Sequence, residues 1–165
     1  MLLFLYAFLS NVALAVVPHE PVVIWYGAHA GIWWTAVVAT AGTLAASWVD
    51  HRLFVPLIAR TGLHQRGFPR PVTGMLRLFS RAPFAIIAAS GLTPLPFFPF
   101  KAMAFVSRYP IDRYLLAVAA GRLPRYLLLA WLGVALPVPA WGLALLFVAL
   151  ALPSFSMFLR RQTRS

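Results

Sequence analysis

Cysteine is absent from all 165 residues, so neither a disulfide framework nor a thiolate metal site enters the account. Acidic side chains are almost as scarce: Glu20, Asp50 and Asp112 are the only three. That leaves no carboxylates paired at a useful spacing, and no Ser-His-Asp order, P-loop or Rossmann fingerprint occurs either. Only 10% of residues are charged, against about a quarter in ordinary soluble domains. What fills the chain is apolar: 62% hydrophobic residues and a mean hydropathy of +0.83. An integral membrane protein follows, and no polar linker is long enough to part it into two domains.

The net charge of +11 arises from 14 basic residues. In a soluble chain that balance suggests nucleic acid, but no aromatic-interleaved soluble domain accompanies it, so nucleic acid is not expected as a partner. The positives lie between and after apolar spans, where they read as positive-inside signals and contacts to anionic lipid. Residues 2–17 have the apolar core of a signal peptide without a basic n-region or a small-residue cleavage site. The segment is expected to be retained, and whether a further helix precedes it stays open.

Two proline-broken stretches organise the rest. Val17-Pro18-His19-Glu20-Pro21 and Leu92-Thr93-Pro94-Leu95-Pro96-Phe97-Phe98-Pro99-Phe100-Lys101 each interrupt sequence too apolar for a soluble loop. Non-helical backbone survives at membrane depth only where protein or a water-filled cavity satisfies it. Interrupted segments at matching positions of two halves point to a transport site. Residues 2–17 would reach about 24 Å as a helix, short of the roughly 30 Å hydrocarbon core. The expected fold is therefore all-α: a helical bundle with two opposed re-entrant hairpins in inverted repeats. Its expected segments are a first hairpin over 1–30, a span over 31–49 and a basic cytoplasmic loop over 50–81. A second hairpin over 82–107 and spans over 111–136 and 141–159 follow, with a cytoplasmic C-terminus.

Few residues can carry chemistry. Glu20 falls at an apparent membrane-depth break, where a buried carboxylate suits proton binding, or else at the water interface after a helix. His19 beside it either shares that proton or is a solvated loop histidine. Arg122 and Arg125, three residues apart, share a helix face. They suit bidentate phosphate binding, and equally snorkelling to headgroups. Lys101 is an interfacial anchor or a substrate contact. Asp50 suits a structural ion pair with a basic residue at its helix end. No H-x-x-x-H pair is present, and neither a metal nor another cofactor is expected.

The sequence resembles the DedA / VTT-domain superfamily, also called the SNARE-associated Golgi protein family. The resemblance rests on Pro18-His19-Glu20 followed by Gly27 and Gly31, on Gly42-Thr43-Leu44-Ala45-Ala46-Ser47-Trp48-Val49-Asp50, on Leu92-Thr93-Pro94-Leu95-Pro96-Phe97 and on Gly121-Arg122-Leu123-Pro124-Arg125-Tyr126. It covers roughly residues 10 to 135. It implies two opposed re-entrant helices, a membrane-embedded acid matched by Glu20, and arginines matched by Arg122 and Arg125. It also implies flipping or scrambling of lipid, including polyprenyl phosphate, often linked to proton motive force. Asn11 is the nearest polar residue where many bacterial members carry a further acid. Gly91 and Phe97 stand where many carry arginines.

The leading expectation is a bacterial inner-membrane transporter of lipid or lipid phosphate and not an enzyme. The alternative is a non-transporting membrane scaffold or assembly protein. Membrane lipids are the expected partners, anionic or polyprenyl phosphate among them, and assembly as a homo-oligomer stays open.

Overall fold

A computed structural model describes residues 1–12, 18–60, 70–93 and 97–136, together with 139, 141–143, 145 and 148–149. Among the described residues the fold is all-helical, with no strand. The expected last span over 141–159, Pro94-Leu95-Pro96, the 61–69 part of the basic loop and the C-terminal arginines lie wholly or largely outside the described residues.

Among the described residues seven helices are delimited: α1 (Leu2–Asn11), α2 (Glu20–Ala30), α3 (Ile32–Arg60), α4 (Arg70–Arg81), α5 (Pro83–Leu92), α6 (Phe98–Val106) and α7 (Ile111–Ala135). Proline sets several boundaries. In α2, α5 and α6 it occupies the first turn, where its missing N–H would have no helical partner anyway. Pro99 therefore opens α6 at Phe98, within the second hairpin expected over 82–107. Helix α1 ends at Asn11, whose side-chain amide donates 2.7 Å to the Ala7 carbonyl. Each of α1, α2, α5 and α6 is about 17 Å long or less, roughly half a bilayer core.

Helices α3 and α7 are long and apolar enough to cross a membrane. Their outward faces carry Trp33, Trp34 and Val37 on α3 and Leu116, Leu128, Trp131 and Val134 on α7. Large exposed apolar side chains in such number suit a lipid solvent and not water. Helix α3 also runs on to Arg60, beyond the expected end at Val49. It does so because its first ionisable residues are satisfied. Asp50 is paired with Lys101, and the His51 ring packs on Phe105 and Tyr114 while Nε2–H donates to the Tyr109 carbonyl at 2.9 Å. The remainder of the expected loop includes helix α4.

The chain falls into two compact units, residues 1–42 with 126–165, and residues 43–125. In the first, α1 packs on α3 at Gly42, where an added Cβ would meet Phe4 and Ala7. Helix α2 packs on α7 with Gly27 against Ala130 and Gly133 against Ile24, backbone to backbone. The Tyr6 hydroxyl donates 2.8 Å to the Pro18 carbonyl, tying α1 to the segment before α2. Gly31, at φ 91°, takes the left-handed joint that lets α3 begin at once.

In the second unit, α5 packs on α7 through Gly91, Ala88 and Gly121, and α6 meets α3 through the Asp50–Lys101 pair. Phe79, Ile87, Phe105, Tyr114 and Val118 form its core. Lipid gives helices no hydrophobic reason to associate, so close packing of small residues has to hold them. Helix α6 closes with a Schellman motif: Tyr109 N–H donates to Ala104 O at 2.9 Å and Arg108 N–H to Phe105 O at 3.2 Å. The left-handed position, φ 51°, is filled by Arg108 and not glycine. That choice costs on the order of 1 kcal/mol.

Candidate functional site

Three charged side chains of the second unit lie in its interior. Asp50 and Lys101 are fully and almost fully buried, and the lysine ammonium donates to the carboxylate. Helix α3 supplies the acid and α6 the base, 51 residues apart in sequence. Arg122, on α7 and only 3% exposed, lies with its guanidinium carbon 5.1 Å from the centre of the Phe97 ring. The same guanidinium acts electrostatically on Lys101 and on buried Tyr114, and Tyr114 also stands beside Ser47 and Asp50. One carboxylate and two cations thus share an apolar surrounding. Buried charges of both signs at such close range are held by one another and by the polar groups around them.

Arg125, half-buried one turn further along α7, donates through Nη1 to the Thr93 carbonyl at 2.8 Å. Thr93 is the C-cap of α5, where carbonyls lack helical donors and the helix dipole is negative. A guanidinium here pins the second break. Pro124 removes the backbone donor that the Ala120 carbonyl would otherwise take, loosening α7 between the two arginines.

The first unit holds a polar group of its own. His19 is 6% exposed, not a solvated loop side chain, and its Nε2 shares a 3.0 Å hydrogen bond with the hydroxyl of buried Tyr126. The two rings meet edge-on, 5.4 Å between centres. Glu20 is half-buried at the first position of α2, where its Oε2 accepts from the His19 backbone N–H at 3.1 Å. A carboxylate there also faces the positive end of the helix dipole. Replacing Tyr126 by Phe keeps the ring and deletes the hydroxyl. It is expected to lower stability by about 1 kcal/mol, read by thermal unfolding in detergent. An unaltered midpoint would show that the hydroxyl contributes nothing.

The expected site residues therefore divide between the units. Lys101, Arg122 and Arg125 lie in the second with Asp50, while Glu20 and His19 lie in the first. In the sequence alone Tyr114 has no assigned role, and Ser47, Phe97 and Tyr126 enter only through the family-like motifs and not as site residues. One signal was available for Lys101: it is the only lysine in the chain, and it sits in an uncharged stretch. Among the described residues no cluster of three or more His, Cys, Asp or Glu side chains is placed to hold a metal. No family model, curated protein or solved structure matches the chain.

Proposed function

We propose that this protein moves lipids bearing an anionic headgroup between the leaflets of a bacterial inner membrane, as its resemblance to the DedA / VTT-domain family implies. The observation that carries this reading is the burial of the Arg122 guanidinium together with Lys101 and Asp50 in the interior of the second unit. Arginine at membrane depth is expensive and calls for a functional explanation. A guanidinium is also the side chain best suited to bidentate contact with the phosphate of a headgroup in transit.

Helix packing supports an inverted-repeat design. In one half, α1 packs on α3 and α2 on α7; in the other, α5 packs on α7 and α6 on α3. The first arm of each hairpin thus meets the long helix that follows it, and the second arm meets the long helix of the other half. Exchanging the labels α1, α2, α3 with α5, α6, α7 leaves that pattern of contacts unchanged, as an internal repeat would. Half-length arms broken by proline fit re-entrant hairpins, with the basic segments and C-terminus on the cytoplasmic side.

Glu20 is the candidate for coupling to protons. A second reading, a non-transporting scaffold, draws on two contacts. Glu20 caps α2 by accepting from His19, and Arg125 closes α5 at Thr93. Both are complete as structural roles. Flip rates of a fluorescent phospholipid in proteoliposomes separate the readings. Arg122→Gln is expected to slow flipping about tenfold, the size of one lost charge-assisted hydrogen bond. Glu20→Gln is expected to abolish any stimulation by a pH gradient. Equal rates for both variants, or no flipping by the wild type above protein-free vesicles, favour the scaffold.

A further inference from the structure

Outside the buried cluster, the second unit gathers its exposed positive charge around one corner. Tyr109 is the hub. Its carbonyl accepts from His51 on α3, and its ring meets Phe79 of α4 at 6.4 Å, edge to face. Its own backbone closes α6, and α7 starts two residues later. Arg52 is next to His51; Arg77 and Arg81 flank Phe79 on α4; Arg108 adjoins the hub, and Arg113 lies in the first turn of α7. All five arginines are exposed, and the one exposed acid among them is Asp112. Helix α4 is amphipathic, with Phe79 in the core and Arg77 and Ser80 outward. Trp48, with the Arg52 guanidinium 5.5 Å from its ring centre, and exposed Leu53 and Leu57 bring apolar surface up to the charge. A tryptophan one turn before an arginine on a helix, with exposed leucines beside them, suits the boundary between acyl chains and headgroups.

Arg108 adds an independent observation. It occupies the left-handed residue of the Schellman motif, a place where glycine folds with less strain. An arginine at such a position points to a use for its side chain. We infer that the Tyr109 corner is a docking surface for anionic phospholipid headgroups, separate from the buried Arg122 cluster. Arginines spread over four elements engage several phosphates of the leaflet at once and hold α4 in the headgroup plane. Positive-inside topology alone requires the same charges but no preference among lipids, so lipid preference is the discriminating quantity.

Spin-labelled phosphatidylglycerol and phosphatidylcholine, added separately to the full-length protein in phosphatidylcholine vesicles, report how strongly each is held at its surface. The wild type is expected to hold the anionic label at least about threefold more strongly, and to lose the preference in high salt. Arg77→Gln/Arg81→Gln/Arg113→Gln is expected to bring the ratio near one. Arg108→Gly is expected to lower the ratio while leaving the melting temperature unchanged or raised. Inorganic phosphate at constant ionic strength distinguishes a soluble anion from a lipid. If millimolar phosphate removes the preference, the site belongs to the soluble anion and the inference fails. Equal binding of both labels by the wild type, or an unchanged ratio in the triple variant, also overturns it. A lower melting temperature for Arg108→Gly would assign that side chain to folding.

Discussion

Asp50→Ala is expected to destabilise the protein by about 3–5 kcal/mol, the range found when one partner of a buried ion pair is removed. Lys101 would keep its ammonium in a nearly dry interior, with Arg122 acting on it and the carboxylate gone. The cost comes from the charge left behind more than from the bond lost. Asp50→Leu combined with Lys101→Met should therefore recover much of the stability, since apolar pairs of similar volume often replace buried ion pairs without loss. Thermal or denaturant unfolding in detergent measures both. A double variant as unstable as Asp50→Ala would mean that the pair supports the fold by some route other than charge balance.

Gly121→Leu is the second large effect. An added Cβ at this position falls on the Ala88 carbonyl and beside the Gly91 Cα, so backbone has to yield and not a mobile side chain. Overpacking inside a well-packed core costs typically 1–3 kcal/mol, and a clash with backbone belongs at or above the top of that range. Parting α5 from α7 would also stretch the Arg125–Thr93 bond at 2.8 Å and open the packing of fully buried Ile87. Gly74 offers the control. It lies inside α4, on the surface, with nothing within 4 Å of an added Cβ. Gly74→Ala is expected to stabilise by about 0.5–1 kcal/mol, by helix propensity alone. A melting temperature for Gly121→Leu equal to the wild type would refute the close approach of α5 and α7.

Much of this arrangement was legible in the sequence, because local chemistry determines it. Proline at positions 18, 21, 83 and 99 marks helix starts and breaks whatever the surroundings, and α1, α2, α5 and α6 are accordingly short. Residues 111–136 were expected to be helical, and α7 covers them to Ala135. Long-range partnership was less legible. Asp50 was expected to pair at its own helix end, where Arg52 is the obvious neighbour; Arg52 instead lies near Trp48. Which cation meets Asp50 depends on α6 approaching α3, and no local pattern encodes that approach. The continuation of α3 past Val49 was hidden for the same reason, since Asp50, His51 and Arg52 read as a polar boundary until Lys101, Tyr109 and Tyr114 are brought to them. His19 could equally share a proton with Glu20 or face solvent in a loop, and the contact with Tyr126 accompanies its burial.

The account rests on half-crossing arms, and the absence of native cysteine makes their topology directly measurable. Single cysteines at Leu2, Ala30, Ala82 and Arg108, all exposed positions at the outer ends of the arms, can be labelled in oriented membranes with a membrane-impermeant thiol reagent. The two ends of each hairpin should react from one face: 2 with 30, and 82 with 108, the latter pair from the cytoplasm. If 82 and 108 react from opposite faces, α5 and α6 together cross the membrane, and a re-entrant hairpin beside the buried Arg122 is contradicted.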